Sequence, residues 1–259
     1  MRLIKAIVCV CVALAGSQAL PASADDGLSV SGTSFVLRQD DRTLRSADLV
    51  GAELDLGNGQ WLRIDAVRVD PKDSDILLHQ LSTRGTHGAW HNLCSADRHG
   101  KQEGFPLPGR WDEQGRFQLS DQYIAMTCTD GAQAKCVRFG YKPWKLSADG
   151  RSLVPLYESC VRMTRADYCG DGTATTLDGT QIDMFDDHGV WESDHPPGFS
   201  FEAGWTPQGA VCVNHTRIPK NLSLDELARR CPRLADAVGE QCDEKEARRR
   251  GAVLFNNSR

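Results

Sequence analysis

The 259-residue chain contains no Cys-x-x-Cys pair, no His-Glu-x-x-His, no Gly-x-Ser-x-Gly and no phosphate-cradling glycine-rich loop. The first absence weighs against a zinc knuckle, a thioredoxin-like centre and covalent haem. The others argue against a helical zinc protease, a serine nucleophile elbow and a nucleotide fingerprint. A basic stripe is also missing: 30 Lys and Arg stand against 35 Asp and Glu, a formal charge of −5. The one basic cluster, Arg248-Arg249-Arg250, follows Asp243, Glu244 and Glu246 and reads as a solvated helix face. No nucleic-acid partner is expected from that balance. Internal repeats, coiled-coil heptads and low-complexity tracts are absent. Beyond the first residues no apolar run reaches the length of a membrane span, so the mature chain is expected to be soluble with no transmembrane segment.

What is present begins at the N-terminus. Arg2 and Lys5 precede a short apolar run, Ala6 to Ala15, and Ala22-Ser23-Ala24 supplies the small residues that a signal peptidase reads. Residues 1–24 are therefore expected to be a signal peptide cleaved after Ala24. Cys9 and Cys11 lie inside the apolar run without the context of a lipid-modified cysteine. Eight cysteines follow: Cys94, Cys128, Cys136, Cys160, Cys169, Cys212, Cys231 and Cys242. An even number in an oxidising compartment implies four disulfides, with a connectivity that spacing leaves open. A local Cys128–Cys136 bridge around Asp130-Gly131 is one option. Because all eight fall at or after residue 94, the chain divides into a cysteine-free β-rich N-terminal module, 25–93, and a disulfide-rich domain, 94–259.

Within 25–93, VSGTSFVLR, ADLVGAELDL, QWLRIDAVRV and DILLHQLS read as strands, and Asn58-Gly59 as a hairpin turn. In WLRIDAVRV the apolar residues alternate only in part. Residues 94–122, punctuated by Phe105-Pro106-Leu107-Pro108-Gly109 and Asp112-Glu113-Gln114-Gly115, read as turn-rich before the strand RFQLS. One helix is expected over 152–166, with Ser152 as cap and Pro155 in the first turn. A second begins at the capping box Ser223-Leu-Asp-Glu226 and breaks near Cys231, where Pro232 follows. GFSFEAGW and AVCVNHTR are further strands. The expected class is α+β, mainly antiparallel β with two or three short helices and a disulfide-stabilised C-terminal domain.

The densest chemistry lies in RADYCGDGTATTLDGTQIDMFD, residues 165–186. An EF-hand alignment puts Asp167, Asp171, Gly172 and Asp178 at suitable positions, but Cys169 falls where a hard oxygen ligand is needed and no second helix follows. Another calcium site among Asp171, Asp178, Asp183, Asp186 and Asp187 is the one cofactor reading, set against aspartates that simply cap turns. Cys169 with His195 or His215 would make a thiolate–imidazole pair, yet a free nucleophile would leave an odd number of cysteines, so a structural disulfide is expected. Asp186 and Asp187 beside Glu192 and Asp194 could pair as glycosidase carboxylates. His87 and His91, with His99 nearby, have the i, i+4 spacing of a transition-metal pair, but Gly85 and Gly88 disfavour the helix that would align them, so loop histidines are expected. Of Trp61, Trp90, Trp111, Trp144, Trp191 and Trp205, most are expected in the core, though an exposed one could stack on a sugar or peptide.

The stretch Ala166-Asp167-Tyr168-Cys169 within CVRMTRADYCGDGT resembles the motif that names the ADYC domain, a family of exported proteins of Gram-negative bacteria whose activity is uncharacterised. Similar stretches are AKCVRFGYKPW, LDGTQIDMFD, GAVCVNHTRIP, LDELARRCPRL and GAVLFNNS, so the resemblance runs from about residue 90 to the C-terminus. It implies an exported, cysteine-bridged domain, periplasmic or extracellular, and supplies no catalytic residues. The function expected is a non-catalytic binding or envelope-associated module with an extracellular or envelope ligand. The alternative is a secreted hydrolase using aspartates of the 171–187 loop with a nearby histidine.

Overall fold

The structure is a computed structural model describing residues 19–21, 27–39, 41–57 and 59–259. The expected signal peptide, with Cys9 and Cys11, lies outside the described residues except for the backbone of Ala19–Pro21. The chain packs as two compact units, Met1–Arg138 and Phe139–Arg259.

The first unit is built from β1 (Ala19–Pro21), β2 (Leu28–Ser31), β3 (Ser34–Gln39), β4 (Arg42–Arg45), a 3-10 turn (Ser46–Leu49), β5 (Glu53–Gly57), β6 (Gln60–Asp70), β7 (Asp73–Arg84), β8 (His91–Asn92), β9 (Gly104–Trp111), β10 (Phe117–Cys128) and a short helix α1 (Ala132–Arg138). One sheet has the order β1-β10-β9-β7-β6-β5 with β8 beside β7, and a second has β2-β3-β4. All of these pairings are antiparallel. Leu28, Phe35, Leu37, Leu54, Leu62, Ile64, Leu81 and Ile124 form the core that both sheets enclose. Burying each side chain of that size contributes about 1.5–3 kcal/mol.

The partial alternation of WLRIDAVRV has a structural cause. The β6–β7 register shifts between Ile64 and Ala66, so Leu62 and Ile64 face the core while Val69 is 52% exposed. β5 and β6 pair as the hairpin expected about Asn58-Gly59, although Asn58 itself lies outside the described residues.

Residues 104–111 correct the expectation of a turn. They form β9, with Phe105 and Leu107 fully buried. Two prolines fit because Thr129 N–H donates to Glu103 O at 2.9 Å, which directs the hydrogen-bonding groups of Phe105 and Leu107 toward β10. Pro106 and Pro108 then lack their N–H on the side facing β7, where pairing occurs only at Gly104 opposite His79. Two further corrections follow. Cys128 bonds Cys94, not Cys136. The expected boundary at 93/94 also falls inside the first unit, since the β7–β9 pairing of His79 with Gly104 crosses it.

The second unit contains α2 (Val154–Arg165), β11 (Asp183–Asp186), β12 (Ser200–Thr206), β13 (Gly209–Val213), α3 (Leu224–Arg230), a 3-10 turn (Pro232–Leu234), α4 (Glu244–Arg249) and β14 (Leu254–Ser258). Its antiparallel sheet has the order β11-β14-β12-β13, with α2 and α4 packed against β12. Gly204 permits the close approach of α4, because a Cβ there would lie 2.5 Å from Ala247 Cβ. Ser223 caps α3 through Glu226 N–H, and Glu226 returns the bond to Ser223 N–H at 2.9 Å, as the capping box requires. At the other end Pro232 stops the helix and starts the 3-10 turn. The residue before α2 is Leu153, so Ser152 is not its N-cap.

The architecture is thus mostly antiparallel sheet with four short α-helices among the described residues. That is one or two more helices than the sequence suggested, α1 being too short to show a periodic stripe. Among the described residues no helix is long and apolar enough to cross a membrane.

Candidate functional site

The stretch that concentrated aspartates in the sequence opens with a buried turn, Ala166–Tyr168, and continues as an exposed loop from Asp171. Helix α2 ends at Arg165, and Ala166 adopts the left-handed conformation at φ 50°, with its N–H bonded back to Met163 O at 2.9 Å. That reversal points Asp167 and Tyr168 into the second unit. Asp167 Oδ2 accepts from Arg162 Nη1 at 2.7 Å and from Gly172 N–H at 2.9 Å, tying the helix to the loop beyond the turn. Both members of the Asp167–Arg162 pair are nearly inaccessible, at 0% and 7% side-chain exposure. Asp167 Oδ1 is buried without a hydrogen-bond partner.

Tyr168 is buried with its ring stacked on Trp205, centroids 5.2 Å apart. Its hydroxyl donates to Glu202 Oε1 at 3.0 Å and accepts from Arg217 N–H at 2.8 Å. Burial raises its pKa well above the usual phenol value, and the Glu202 charge adds to that. Glu202 and Arg217 form a two-point ion pair with 0% and 2% side-chain exposure. Asn256 Nδ2 donates to Glu202 Oε2 at 2.8 Å, and Trp205 Nε1 donates to Asn256 Oδ1 at 2.8 Å. Arg217 also donates to Met163 O at 2.9 Å, a second bond to the carbonyl that accepts from Ala166 N–H at the end of α2. A buried network is stable when every member has a partner, and these five side chains supply one another.

Cys169 is bonded to Cys231, just after α3, and Cys212 to Cys242. All eight cysteines of the sequence argument are in disulfides, Cys136 and Cys160 included. No thiol is therefore free to act as a nucleophile at Cys169, and His195 and His215 have no thiolate to pair with. Gly170 follows at φ 74°, where a Cβ would collide with Gln208 O. Arg233 then gathers the carbonyls of the turn: Nη2 donates to Tyr168 O at 2.7 Å, Gln208 O at 3.0 Å and Cys169 O at 3.1 Å, and Nη1 donates to Ala210 O. Burial lowers the pKa of this guanidinium, and the Asp167 charge opposes that.

The calcium candidates are not brought together. Asp171 is exposed and paired with Arg230 at 2.8 Å. Burial works against its charged form, but the Thr173 N–H and Arg230 outweigh it and hold its pKa low. Asp178 is exposed in the turn closed by Thr180 N–H on Leu177 O. Asp183 accepts from Ser193 Oγ at 2.6 Å, Asn257 Nδ2 at 2.8 Å and Asp194 N–H at 3.0 Å. Asp186 accepts from His188 N–H at 2.7 Å, Trp191 N–H at 2.9 Å and Tyr141 Oη at 3.0 Å. Asp187 pairs with Arg248. Among the described residues no group of three or more His, Cys, Asp or Glu is arranged to hold a metal ion.

The histidines are likewise dispersed. His87 and His91 are exposed, and His99 Nε2 accepts from Arg98 at 3.1 Å. His215 is partly buried, 3.0 Å from Ser258 Oγ, with its pKa lowered by burial. Only His195 joins other candidate groups, since its Nδ1 lies 3.0 Å from Ser193 Oγ, the hydroxyl that donates to Asp183. The serine stands between carboxylate and imidazole, whereas in a triad the imidazole stands between the other two.

Of the six tryptophans Trp205 alone is fully buried, which corrects the expectation that most lie in the core: Trp61, Trp90, Trp111 and Trp144 are half-buried and Trp191 is 41% exposed. Arg63 and Arg84 cover the Trp90 ring at 4.6 and 4.7 Å. The first unit also carries a polar cleft of about 310 Å³ beside Arg68 and Glu103, and a larger one of about 650 Å³ beside β2. Neither cleft was visible in the sequence, because each joins strands distant along the chain.

Fold and turn together define a disulfide-braced α+β protein whose most distinctive polar residues are neutralised inside it. The Ala166-Asp167-Tyr168-Cys169 turn of the second unit is the signature the sequence resembled, and the chain belongs to the ADYC domain family, whose model matches residues 46–219. The match begins well before residue 90 and stops before LDELARRCPRL and GAVLFNNS. No curated protein and no solved structure matches the chain.

Proposed function

We propose that this chain is an exported, soluble, non-catalytic binding module of a Gram-negative bacterium, acting in the periplasm or outside the cell on an envelope or extracellular ligand. The observation that carries this reading is the consumption of the chemistry-bearing side chains by the fold. Asp167, Tyr168, Cys169, Asp183 and Asp186 each spend their donors, acceptors or sulfur on a buried ion pair, a turn or a disulfide. Disulfides at all eight cysteines support life in an oxidising compartment, and residues 1–24 supply the route there.

The test captures peptidoglycan, cell-surface glycans and secreted peptides on the purified chain, alongside a hydrolase activity screen. Retention of one ligand class without turnover is expected; turnover without any retained ligand would sink the reading.

A secreted hydrolase ranks second, favoured by the Asp183–Ser193–His195 contacts. Its test is direct: if Asp171→Asn and Asp183→Asn leave a detected turnover intact, the loop is not its source.

A further inference from the structure

Strand β1 belongs to the segment that export would remove. It pairs antiparallel with β10, Ala19 opposite Ala125, Leu20 opposite Ile124 and Pro21 opposite Tyr123. Thr129 N–H points to β9, so the hydrogen-bonding groups of Thr127 and Ala125 do as well, while those of Ile124 face β1. Once residues 1–24 leave, Ile124 keeps a free N–H and C=O at the margin of an antiparallel sheet, a template for an added strand.

The direction of β1 shows where such a strand would lead. It runs from Ala125 toward Tyr123, and Gln122 and Asp121 follow in the wall of the 650 Å³ cleft. Arg38, Thr43 and Arg45 line that cleft with β2. Neither guanidinium has an ion-pair partner among the described residues, and Asp121 is the one acidic side chain in the lining. A third cation, Arg110, lies over the Tyr123 ring at 4.2 Å.

We propose that the β10 edge at Tyr123–Ala125 binds an extended peptide as an added antiparallel strand, with acidic residues C-terminal to the paired ones reaching Arg38 and Arg45. Main-chain hydrogen bonds supply affinity in this mode and flanking side chains supply preference. The chain's own sequence has that form, Ala19-Leu20-Pro21 followed by Asp25-Asp26. This site deepens the binding reading above and rests on removal of the leader.

The test expresses the whole chain with its leader, recovers the exported product and determines its N-terminus. A fluorescent peptide of residues 17–26 is then titrated onto it. Saturable binding is expected, weakened about tenfold by N-methylation of the peptide's Leu20, which deletes the donor to Ile124 without touching the protein. Replacing Asp25→Asn and Asp26→Asn in the peptide should weaken it by about tenfold as well, and Arg38→Glu with Arg45→Glu in the protein should abolish that preference. A product that retains residues 1–24 overturns both this site and the export reading. A processed chain that ignores the peptide, or takes the N-methylated form equally well, overturns the site alone. Processed chain that elutes as a dimer undisturbed by the peptide gives the edge to a second copy and refutes the peptide assignment.

Discussion

His79→Gln, followed between about pH 7 and pH 4, tests how the first unit tolerates a buried polar ring. His79 is fully buried, its Nε2 2.8 Å from Ser46 Oγ and its ring edge-on to Phe35 at 5.6 Å. Ser46 Oγ also accepts from Phe35 N–H at 2.8 Å, so the 3-10 turn, β3 and β7 meet at this point. Burial lowers the imidazole pKa from 6.5 to about 4. A depressed value means that the fold accommodates the neutral ring. The stabilisation is therefore complete above the unfolded value and is lost as pH falls from there through the folded one, because the unfolded chain takes up the proton first. A shift of that size is worth about 3 kcal/mol. Wild type should lose that much more stability than His79→Gln over the interval, measured by hydrogen exchange of β6 and β7 amides. In the same range the His79 ring should stay neutral by NMR at pH 5.5. Equal pH slopes for the two proteins, or a ring that titrates at its ordinary value, would refute the reasoning.

Tyr168→Phe strands Glu202 and the Arg217 N–H without the hydroxyl and should cost about 1–3 kcal/mol in urea unfolding. Asp167→Ala leaves Arg162 buried without its counter-charge, and about 3–5 kcal/mol is expected. Replacing Cys169 and Cys231 together by Ala should cost about 2–4 kcal/mol, and alkylation of the unfolded, unreduced wild type should find no thiol among the eight cysteines from Cys94 onward. Calcium at about 1 mM should leave the melting temperature unchanged, since Asp171, Asp183 and Asp186 are already engaged by other donors; a rise would show a site that binds only the folded state.

Local rules made part of this fold legible. The Ser223 capping box, the stop at Pro232 and the β5–β6 hairpin depend on residues within a few positions of one another, so their spacing announces them. Short elements escaped where a distant neighbour decided the outcome. Phe105-Pro106-Leu107-Pro108 has the composition of a turn, yet β10 on one side and the core on its face hold it extended. Strand β14 is too short to declare itself and exists because β11 and β12 flank it. The aspartates of residues 165–186 were legible as a cluster but not in their roles, since Arg230, Asn257 and Tyr141 come from elsewhere in the chain.

The sequence by itself determined the even set of cysteines after residue 93, the acidic balance and the Ala-Asp-Tyr-Cys signature. Each depends on residue identity or local spacing alone. Tertiary structure decided that Cys94 bonds Cys128, that Tyr168 reaches Glu202 and Arg217, and that β1 lies on β10 near the cleft lined by Arg38 and Arg45. Those facts require segments tens of residues apart to meet, and only the packed core brings them within bonding distance.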